Sequence, residues 1–429
     1  MKQFSLILCV VFHFAFAKHE LYDGHGLYQV NVEFVEQTQL LEEIQTRYNL
    51  DVWVYAYPGR PGQILVPGHL KEQFQEELAA AGITYSLEVE NIKEKLDLED
   101  SLLEVAAARS NRSRSLPGLS FDVIHRYAVV DRYLVDLANT YPNVRVFSAG
   151  RSVEGRDIKY ITISTTNFQD TRKPVVMLQS LLHAREWVTL PATLYAIEKL
   201  VIDVTERDLV NDIDWIILPI ANPDGYEHSH TSARFWRKNR ARNSFCMGVD
   251  LNRNFDIFWG TASSTNPCSD TFHGRRAFSE PESAIVRDIL HAHRNRLELY
   301  IDIHSFGSMV LYGYGNRQLP PNALAVNYLG VQMAQAIDAV KWPQNRNYIV
   351  GNVAMVLYMA SGGSSDYAMV TGVPFSYTFE LPSYRGITST VQGFLVEPDF
   401  ILQAGFETWE AIKVGARFAA RNFNRRAGQ

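Results

Sequence analysis

Two patterns of hydrophobic and polar positions divide the chain. In the N-terminal part, short segments alternate between apolar and polar residues, which predicts β-strands at residues 28–34, 51–56, 63–67 and 84–89. Apolar residues spaced three and four apart predict helices at 37–48 and 71–81. This βαββαβ order is typical of a small α+β sandwich.

A charged, alanine-rich stretch at residues 91–110 predicts a connecting helix. Beyond it, nearly continuous apolar runs predict strands at 157–164, 174–182, 214–220, 297–303 and 375–380. Helical spacing predicts helices at 122–141, 190–203, 282–294, 323–339 and 404–422. Because such apolar strands are buried on both faces, we expect an α/β unit with helices on both sides of a central sheet.

The first 17 residues have the form of a secretory signal peptide, with an apolar stretch that ends in Ala15-Phe-Ala17. No later stretch reaches the roughly 18 apolar residues that span a bilayer, so we expect a secreted product without a membrane anchor. Cys9 would leave with the signal. In an oxidising compartment, Cys246 and Cys268 are expected to form a disulfide that staples a surface loop, and two free buried thiols are the alternative.

Charge separates the same two parts. Residues 18–114 contain 9 Lys and Arg against 17 Asp and Glu, a net charge of −8, whereas residues 115–429 contain 31 against 30, a net charge of +1. We therefore expect an acidic unit at 18–114 and a larger unit at 115–429, after a signal at 1–17. Charge alone also fits an acidic domain that is merely well solvated. No extended basic run argues for nucleic-acid binding.

A polar, basic run joins the two units. Arg109, Arg112 and Arg114 predict cleavage there by a trypsin-like protease, although arginines also simply solvate linkers. The same run contains Asn111-Arg-Ser, an acceptor sequence for N-glycosylation in a secreted chain.

Three side chains indicate a metal site. His183 and Glu186 follow the predicted strand 174–182, and His304 follows the predicted strand 297–303. Ligands of α/β sheets bind at the carboxyl ends of strands, so these donors are expected to meet at one edge. Two imidazoles and a carboxylate are a ligand set of catalytic zinc, which leaves the fourth position to water. The alternatives are an exposed His-Glu pair and a hydrogen-bonded histidine at the core edge.

Further residues would supply peptide hydrolysis. Glu380 interrupts a predicted buried strand, so it should face a cleft unless it forms a structural ion pair. The run around Arg237 offers cations, although alone it would be unremarkable as solvated surface. In Asp250-Leu-Asn252-Arg253, an amide stands beside a guanidinium, and that combination can hold a carboxylate through charge-assisted hydrogen bonds.

In their order along the chain, these motifs resemble the A/B branch of the zinc metallocarboxypeptidases. The motifs are His183-Ala-Arg-Glu186, Arg234-Phe-Trp-Arg237, Gly248-Val-Asp-Leu-Asn252-Arg253, His304-Ser305, Tyr358-Met-Ala-Ser-Gly-Gly-Ser-Ser365 and Phe379-Glu380-Leu381. The acidic unit resembles this family's activation domain, and the similarity is greatest to digestive procarboxypeptidases A of the insect gut. The resemblance implies a mixed central sheet with helices on both faces, preceded by a small α+β open sandwich.

The resemblance also implies one zinc ion per chain, bound by His183, Glu186 and His304. Asp250 would orient a ligand histidine by fixing its tautomer. The substrates would be the C-termini of peptides and proteins, the activator would be a trypsin-like protease, and the enzyme would be a monomer. The resemblance further implies a zymogen that is released by cleavage near Arg112 or Arg114. The acidic unit, with its net charge of −8, is suited to cover a cleft that contains four arginines: Arg185, Arg234, Arg237 and Arg253.

For the chemistry, the resemblance makes Glu380 the general base and Arg237 the group that stabilises the oxyanion. Asn252, Arg253 and Tyr358 would hold the free C-terminal carboxylate, which makes the enzyme an exopeptidase. An internal peptide bond offers no such charge.

Three positions bear on specificity. Arg185 would contact the substrate further from the scissile bond. Ser365 matches the pocket-floor position, where related enzymes carry isoleucine or aspartate, and a neutral serine predicts a preference for aliphatic or aromatic C-terminal residues, or a broad preference. Phe306 stands where many relatives have tyrosine, which we expect to affect only subsite packing.

Two rival functions belong to other classes. A catalytically silent peptide-binding homologue would be expected to have lost Glu380 or a metal ligand, and neither is missing. A serine hydrolase would be expected to show a Gly-x-Ser-x-Gly elbow, which the sequence lacks.

Overall fold

A computed structural model describes residues 18–113, 119–383 and 393–427 of the chain. The predicted signal peptide and the predicted cleavage point at Arg114 lie outside the described residues, as do the side chains of Asn111 and Arg112. In the described part of the chain, no helix is both long and apolar enough to cross a membrane.

The N-terminal unit is a four-stranded antiparallel sheet with two helices. Its elements are β1 (Gly26–Asn31), α1 (Val35–Tyr48), β2 (Asp51–Val54), β3 (Gly62–Val66), α2 (Lys71–Ala80) and β4 (Thr84–Val89), with 3-10 turns at Glu20–Tyr22 and Gly68–Leu70. The strands pair in the order β2-β3-β1-β4. Tyr28 and Ile64 of the sheet pack against Phe74 and Leu78 of α2 in a single core. The predicted α+β sandwich is confirmed.

Helix α3 (Ile92–Ser113) connects the two units and runs past its predicted end at residue 110. Ala106, Ala107 and Ala108 have the highest helix propensity of any residue type, which favours continuation of the helix into the basic run. Arg109 therefore lies within a helix rather than in a loop.

The larger unit is built on one eight-stranded mixed sheet. Its strands are β5 (Val144–Arg151), β6 (Asp157–Ile163), β7 (Val175–Ser180), β8 (Asp214–Leu218), β9 (Leu297–Ser305), β10 (Met309–Tyr312), β11 (Ile349–Asn352) and β12 (Phe375–Leu381). They pair in the order β11-β10-β12-β9-β7-β8-β6-β5. The central strands β12, β9, β7 and β8 are parallel, whereas β10, β6 and β5 pair antiparallel with their inner neighbours.

Helices cover both faces of this sheet, as predicted. They are α4 (Tyr127–Thr140), α5 (Thr189–Val201), α6 (Arg207–Asn211), α7 (Pro223–Thr231), α8 (Pro281–His293), α9 (Ala323–Asp338), α10 (Val353–Val356), α11 (Ser364–Val370) and α12 (Pro398–Ala427), with a 3-10 turn at Leu251–Arg253. Alternate strand residues enter opposite cores: Val176 and Leu178 pack with α5, α9 and α12, whereas Met177 and Tyr300 pack with α8 and α11.

Cys246 and Cys268 form the predicted disulfide. The two cysteines are 22 positions apart, and the neighbouring Phe245 is 92% exposed. The bridge therefore staples a surface loop, and a loop of this length gives an entropic stabilisation of about 3 kcal/mol.

Candidate active site

Three neighbouring parallel strands bring the candidate residues to one edge of the sheet. His183 follows β7 after a left-handed residue, Leu181, whose φ is 55°. His304 lies near the end of β9 and is paired in register with Glu380 near the end of β12. This is the carboxyl edge, where ligands of α/β sheets bind. Burial raises the pKa of Glu380 to about 8.

Three donor groups converge at this edge. His183 Nδ1 lies 2.7 Å from Glu186 Oε1 and 3.0 Å from His304 Nδ1. His304 Nδ1 in turn lies 2.9 Å from Glu186 Oε2. All three residues are buried, and among the described residues they form the one group of His, Cys, Asp or Glu with the spacing of a metal site.

The outer nitrogens of both imidazoles face carboxylates. His183 Nε2 lies 3.0 Å from Asp250 Oδ1, and His304 Nε2 lies 2.9 Å from Asp302 Oδ2. Because an ionised carboxylate only accepts, each Nε2 carries the proton and each Nδ1 presents a lone pair. The two lone pairs point at each other and at Glu186, an arrangement that repels unless a cation lies between them. The donor set therefore fits a metal ion.

The local charge fits the same ion. Burial by itself would raise the pKa of Glu186, but positive charge on the two adjacent histidines, which a bound metal ion would supply in their place, outweighs burial and holds that pKa well below its usual range. Burial likewise opposes ionisation of Asp250, yet Arg237 and His183 keep its pKa well below the ordinary value. A buried carboxylate without a compensating charge is costly, so a divalent cation would neutralise this group of acids.

Asp250 also positions two other groups. Arg237 Nε and Nη2 donate to Asp250 Oδ2 at 3.1 and 2.9 Å. Asp250 Oδ1 accepts from the backbone N–H of Asn252 at 3.0 Å and so caps the 3-10 turn. The backbone N–H of Ala184 donates to the Arg237 carbonyl at 3.0 Å, which joins the histidine loop to the arginine loop.

Asn252, Arg253 and Tyr358 lie together beside the metal donors. Arg253 is buried, with Nη1 donating to the Asn252 carbonyl at 2.8 Å and Nη2 donating to Tyr358 Oη at 3.3 Å. Gly362, at φ +71°, crosses directly over this turn, and a Cβ there would lie 2.3 Å from the Arg253 carbonyl oxygen. Only glycine lets the two loops approach so closely.

A cavity of about 710 Å³ opens at this edge and is lined by Asn252, Tyr358 and Glu380 together with the metal donors His183 and Glu186. Arg253 does not line the cavity itself, but it donates hydrogen bonds to Asn252 and Tyr358, which do.

One part of the cavity wall combines apolar side chains with two hydroxyl groups. Leu311, Val353 and Leu357 line it, as do Ser365 and Thr378, whose hydroxyl oxygens lie 2.8 Å apart. Asp366 also lines the cavity, and one of its oxygens accepts from the Gly315 N–H at 2.7 Å. Burial raises the pKa of Asp366 to about 6.

The acidic unit lies across the mouth of this cavity. Asp51 Oδ1 accepts from Arg185 Nη1 at 2.7 Å, and the Glu99 carboxylate accepts from Arg234 Nε and Nη2 at 2.8 and 3.0 Å. Arg237 and Arg253, the other two arginines expected at the cleft, make their hydrogen bonds within the larger unit.

Aromatic and backbone contacts extend this interface. The Tyr55 ring lies 4.8 Å from the Tyr358 ring, and Arg60 donates to the Leu357 carbonyl at 2.6 Å. Trp53 of the acidic unit forms an aromatic cluster with Phe394 and Phe306, whose ring centroids lie 5.2 and 6.5 Å from the Trp53 ring, and the two phenylalanine rings are 5.0 Å apart.

Three residues at the site have no role predicted from the sequence: Asp302, Ser364 and Thr378. Asp302 was detectable as an acidic residue two positions before His304 in an apolar strand, and hence on the same face. Thr378 likewise lies two positions before Glu380 and so on the same face of β12, but its contact with Ser365 comes from the packing of β12 against helix α11.

A donor triad for one metal, a carboxylate and a guanidinium around one cavity are the groups of a metal-dependent hydrolase. Comparisons with known proteins specify the class. The zinc carboxypeptidase family matches residues 130–411, and the carboxypeptidase activation peptide matches residues 28–99. The chain therefore belongs to the zinc carboxypeptidase family and carries the activation peptide of a zymogen.

Individual relatives cover nearly the whole chain. It is 44% identical to a carboxypeptidase B of Helicoverpa zea over 98% of this chain and 99% of the relative. It is 31% identical to carboxypeptidase A2 of Mus musculus over 95% of this chain and 96% of the relative. The crystal structure of carboxypeptidase A from Helicoverpa armigera matches with a TM-score of 0.91 and 63% identity, over 94% of this chain and 99% of that chain.

Proposed function

We propose that the chain is a secreted digestive zymogen whose active form removes neutral aliphatic or aromatic residues from the C-termini of peptides. The observation that carries this proposal is the meeting of His183, Glu186 and His304 at the sheet edge, where Glu380 pairs in register with His304 and lines the same cavity as His183 and Glu186. The signal-like sequence at residues 1–17 supports secretion.

His183 Nδ1, Glu186 and His304 Nδ1 would hold the metal. Zinc suits two nitrogens and a carboxylate, and when bound it supplies a Lewis acid that polarises a carbonyl and lowers the pKa of a water molecule. The carboxylate of Asp250 would keep the imidazole of His183 in the tautomer that binds.

Two side chains of the cavity would carry the proton and charge changes. Glu380 would accept a proton from the attacking water and donate it to the leaving amine. Arg237 would donate to the oxygen of the scissile carbonyl as negative charge develops there. Loss of such a donor costs about 3 kcal/mol or more of barrier. Asp250 holds Arg237 in place for this role.

The C-terminal carboxylate of the substrate would be held by Asn252, Arg253 and Tyr358. Arg253 Nη2 now donates to the Tyr358 hydroxyl, and a substrate carboxylate would replace that neutral acceptor with a charged one, which is roughly twice as strong a partner. Arg185 would contact the substrate further from the scissile bond, once Asp51 no longer occupies it.

The pocket supports a neutral C-terminal side chain. Ser365 and Thr378 present hydroxyls beside apolar walls and supply no negative charge. A preference for basic residues is the second candidate, because Asp366 also lines the cavity and one relative is named a carboxypeptidase B. The carboxyl of Asp366 is already hydrogen-bonded to the Gly315 N–H, which favours the first candidate.

One assay tests the proposal. Peptides that differ only in the last residue are incubated with the chain before and after trypsin, with and without phenanthroline, and released amino acids are quantified. We expect release of Phe and Leu well above Lys and Arg, a large rise after trypsin, loss with the chelator and recovery with zinc. The Glu380→Gln variant, treated identically, corrects for cleavage by trypsin itself.

Different results would reject different parts. Chelator-resistant release would reject the metal mechanism. Strong preference for Lys or Arg would reject the neutral pocket and favour the basic alternative. Full activity on large substrates before trypsin would reject the zymogen.

A further inference from the structure

Asp302 is a buried aspartate on β9 that the proposed chemistry does not otherwise require. It has no exposed surface. Its Oδ2 lies 2.9 Å from His304 Nε2 and accepts a hydrogen bond from Ser364 Oγ, and its Oδ1 accepts from Gln179 Nε2 at 3.1 Å. All of its neighbours named here can donate, so these contacts hold the carboxylate in one orientation.

His304 Nε2 has a second neighbour that favours the opposite tautomer. Asn252 Nδ2 lies 3.3 Å from this nitrogen. The amide orientation is fixed, because Asn252 Oδ1 accepts from the Ser364 N–H at 2.8 Å. An amide NH₂ group can only donate, so it stabilises an imidazole whose proton has moved to Nδ1. That tautomer has no lone pair on the nitrogen that faces the metal donors.

We propose that Asp302 is a positioning residue that keeps the proton of His304 on Nε2, whereas Asn252 favours the tautomer with the proton on Nδ1. Ser364 holds the Asp302 carboxylate in place. The inference rests on the proposed zinc site. It gives the substrate clamp and the metal site a shared residue, since Ser364 donates to Asn252 through its backbone and to Asp302 through its side chain.

The test measures zinc affinity of the full-length chain by competition with a chromogenic chelator. Asp302→Ala should weaken binding 10- to 100-fold, the range typical for loss of an outer partner of a ligand histidine. Ser364→Ala should weaken it by less, because the carboxylate remains. Asp214→Asn is the matched control: Asp214 is an equally buried carboxylate that pairs with Lys173 and Arg296, and its loss should leave zinc affinity unchanged.

A rescue separates orientation from damage. Asn252→Asp replaces the competing donor with an acceptor of the same shape, so in the Asp302→Ala background it should recover most of the lost affinity. In the otherwise unchanged chain the same substitution should gain little. Equal gains in both backgrounds would show a general effect of charge and would overturn the inference, as additivity means independence.

Folding is followed by the melting temperature of each metal-free variant. Asp302→Asn offers a milder change, since Gln179 Oε1 has no partner and can turn to accept from the new amide. If the unchanged chain binds zinc but Asp302→Ala and Ser364→Ala bind it equally well, the inference fails alone. If the unchanged chain binds no zinc, the proposed function fails and the inference with it.

Discussion

Removal of the Glu99 carboxylate should open the zymogen without cleavage. Glu99 and Arg234 are both fully buried side chains, and the carboxylate accepts from Arg234 Nε, from Arg234 Nη2 and from the Val396 N–H at 2.8, 3.0 and 2.7 Å. The guanidinium also stacks 3.6 Å from the centre of the Trp187 ring. In Glu99→Ala, Arg234 would remain buried without its counter-charge for as long as the activation unit stays docked.

The magnitude follows from that uncompensated charge. Loss of one partner of a buried ion pair costs about 3–5 kcal/mol. In the undocked state Arg234 reaches water, so the full free-energy cost of the unpaired charge destabilises the docked state alone. At about 1.4 kcal/mol per tenfold change, the open fraction of the uncut chain should rise by at least roughly 100-fold.

The assay compares hydrolysis of a large protein substrate by the uncut chain with that by the same chain after trypsin. Glu99→Ala should raise the uncut activity towards the activated level and leave the activated rate unchanged. Glu90→Ala removes the same charge from the same unit at a side chain that is 77% exposed, and it should have no effect. Uncut Glu99→Ala as inactive as the unchanged chain, with a normal activated rate, would refute the reasoning.

Three further predictions concern single side chains. Glu380→Gln should lower kcat by about 10²- to 10⁴-fold, the usual contribution of a general base, while zinc content measured by atomic absorption stays at one per chain; retained turnover would exclude Glu380 as the base. Ser365→Asp should shift the ratio of kcat/KM for Arg over Phe by about 30-fold or more, as expected for a new charge pair in a desolvated pocket; an unchanged ratio would mean that position 365 does not select the side chain. Burial raises the pKa of Glu407 from 4.5 to about 7, so the folded chain keeps a proton that the unfolded chain releases. Stability should therefore fall between about pH 4.5 and 7 by up to roughly 1.4 kcal/mol per pH unit. Glu407→Gln should be the more stable form at pH 8 and comparable at pH 4.5 by thermal melts, and parallel pH profiles would contradict this.

The central strands and the order of motifs were predictable because burial on both faces leaves a continuous apolar run. The pattern of apolar and polar residues does not predict strands β5, β10 and β11. Strand β5 is at the sheet edge and only Val144 of its residues is buried, so it has no clean periodicity, and the other two are four-residue strands. Helix α4 begins at Tyr127 rather than at residue 122. Before the helix, the His125 side chain is hydrogen-bonded to the Ser120 carbonyl.

At the site, the sequence predicts the residues that follow strands but not the contacts made by tertiary packing. His183 and Glu186 are close in sequence, and His304 was recognisable because it follows an apolar strand. Asp302 and Thr378 share strand faces with His304 and Glu380, which the sequence shows, but their contacts with Ser364 and Ser365 depend on how helix α11 packs, which a single sequence does not specify. Of the four arginines predicted at the covered cleft, Arg185 and Arg234 pair with Asp51 and Glu99 of the acidic unit, whereas Arg237 and Arg253 bond within the larger unit.

The most direct test of the zinc site is anomalous diffraction at the zinc edge from crystals of the chain. We predict one strong peak at about 2.0–2.2 Å from His183 Nδ1, His304 Nδ1 and a Glu186 oxygen. A zinc-replete crystal without a peak between these residues, or with His304 presenting Nε2 to the metal, would contradict it.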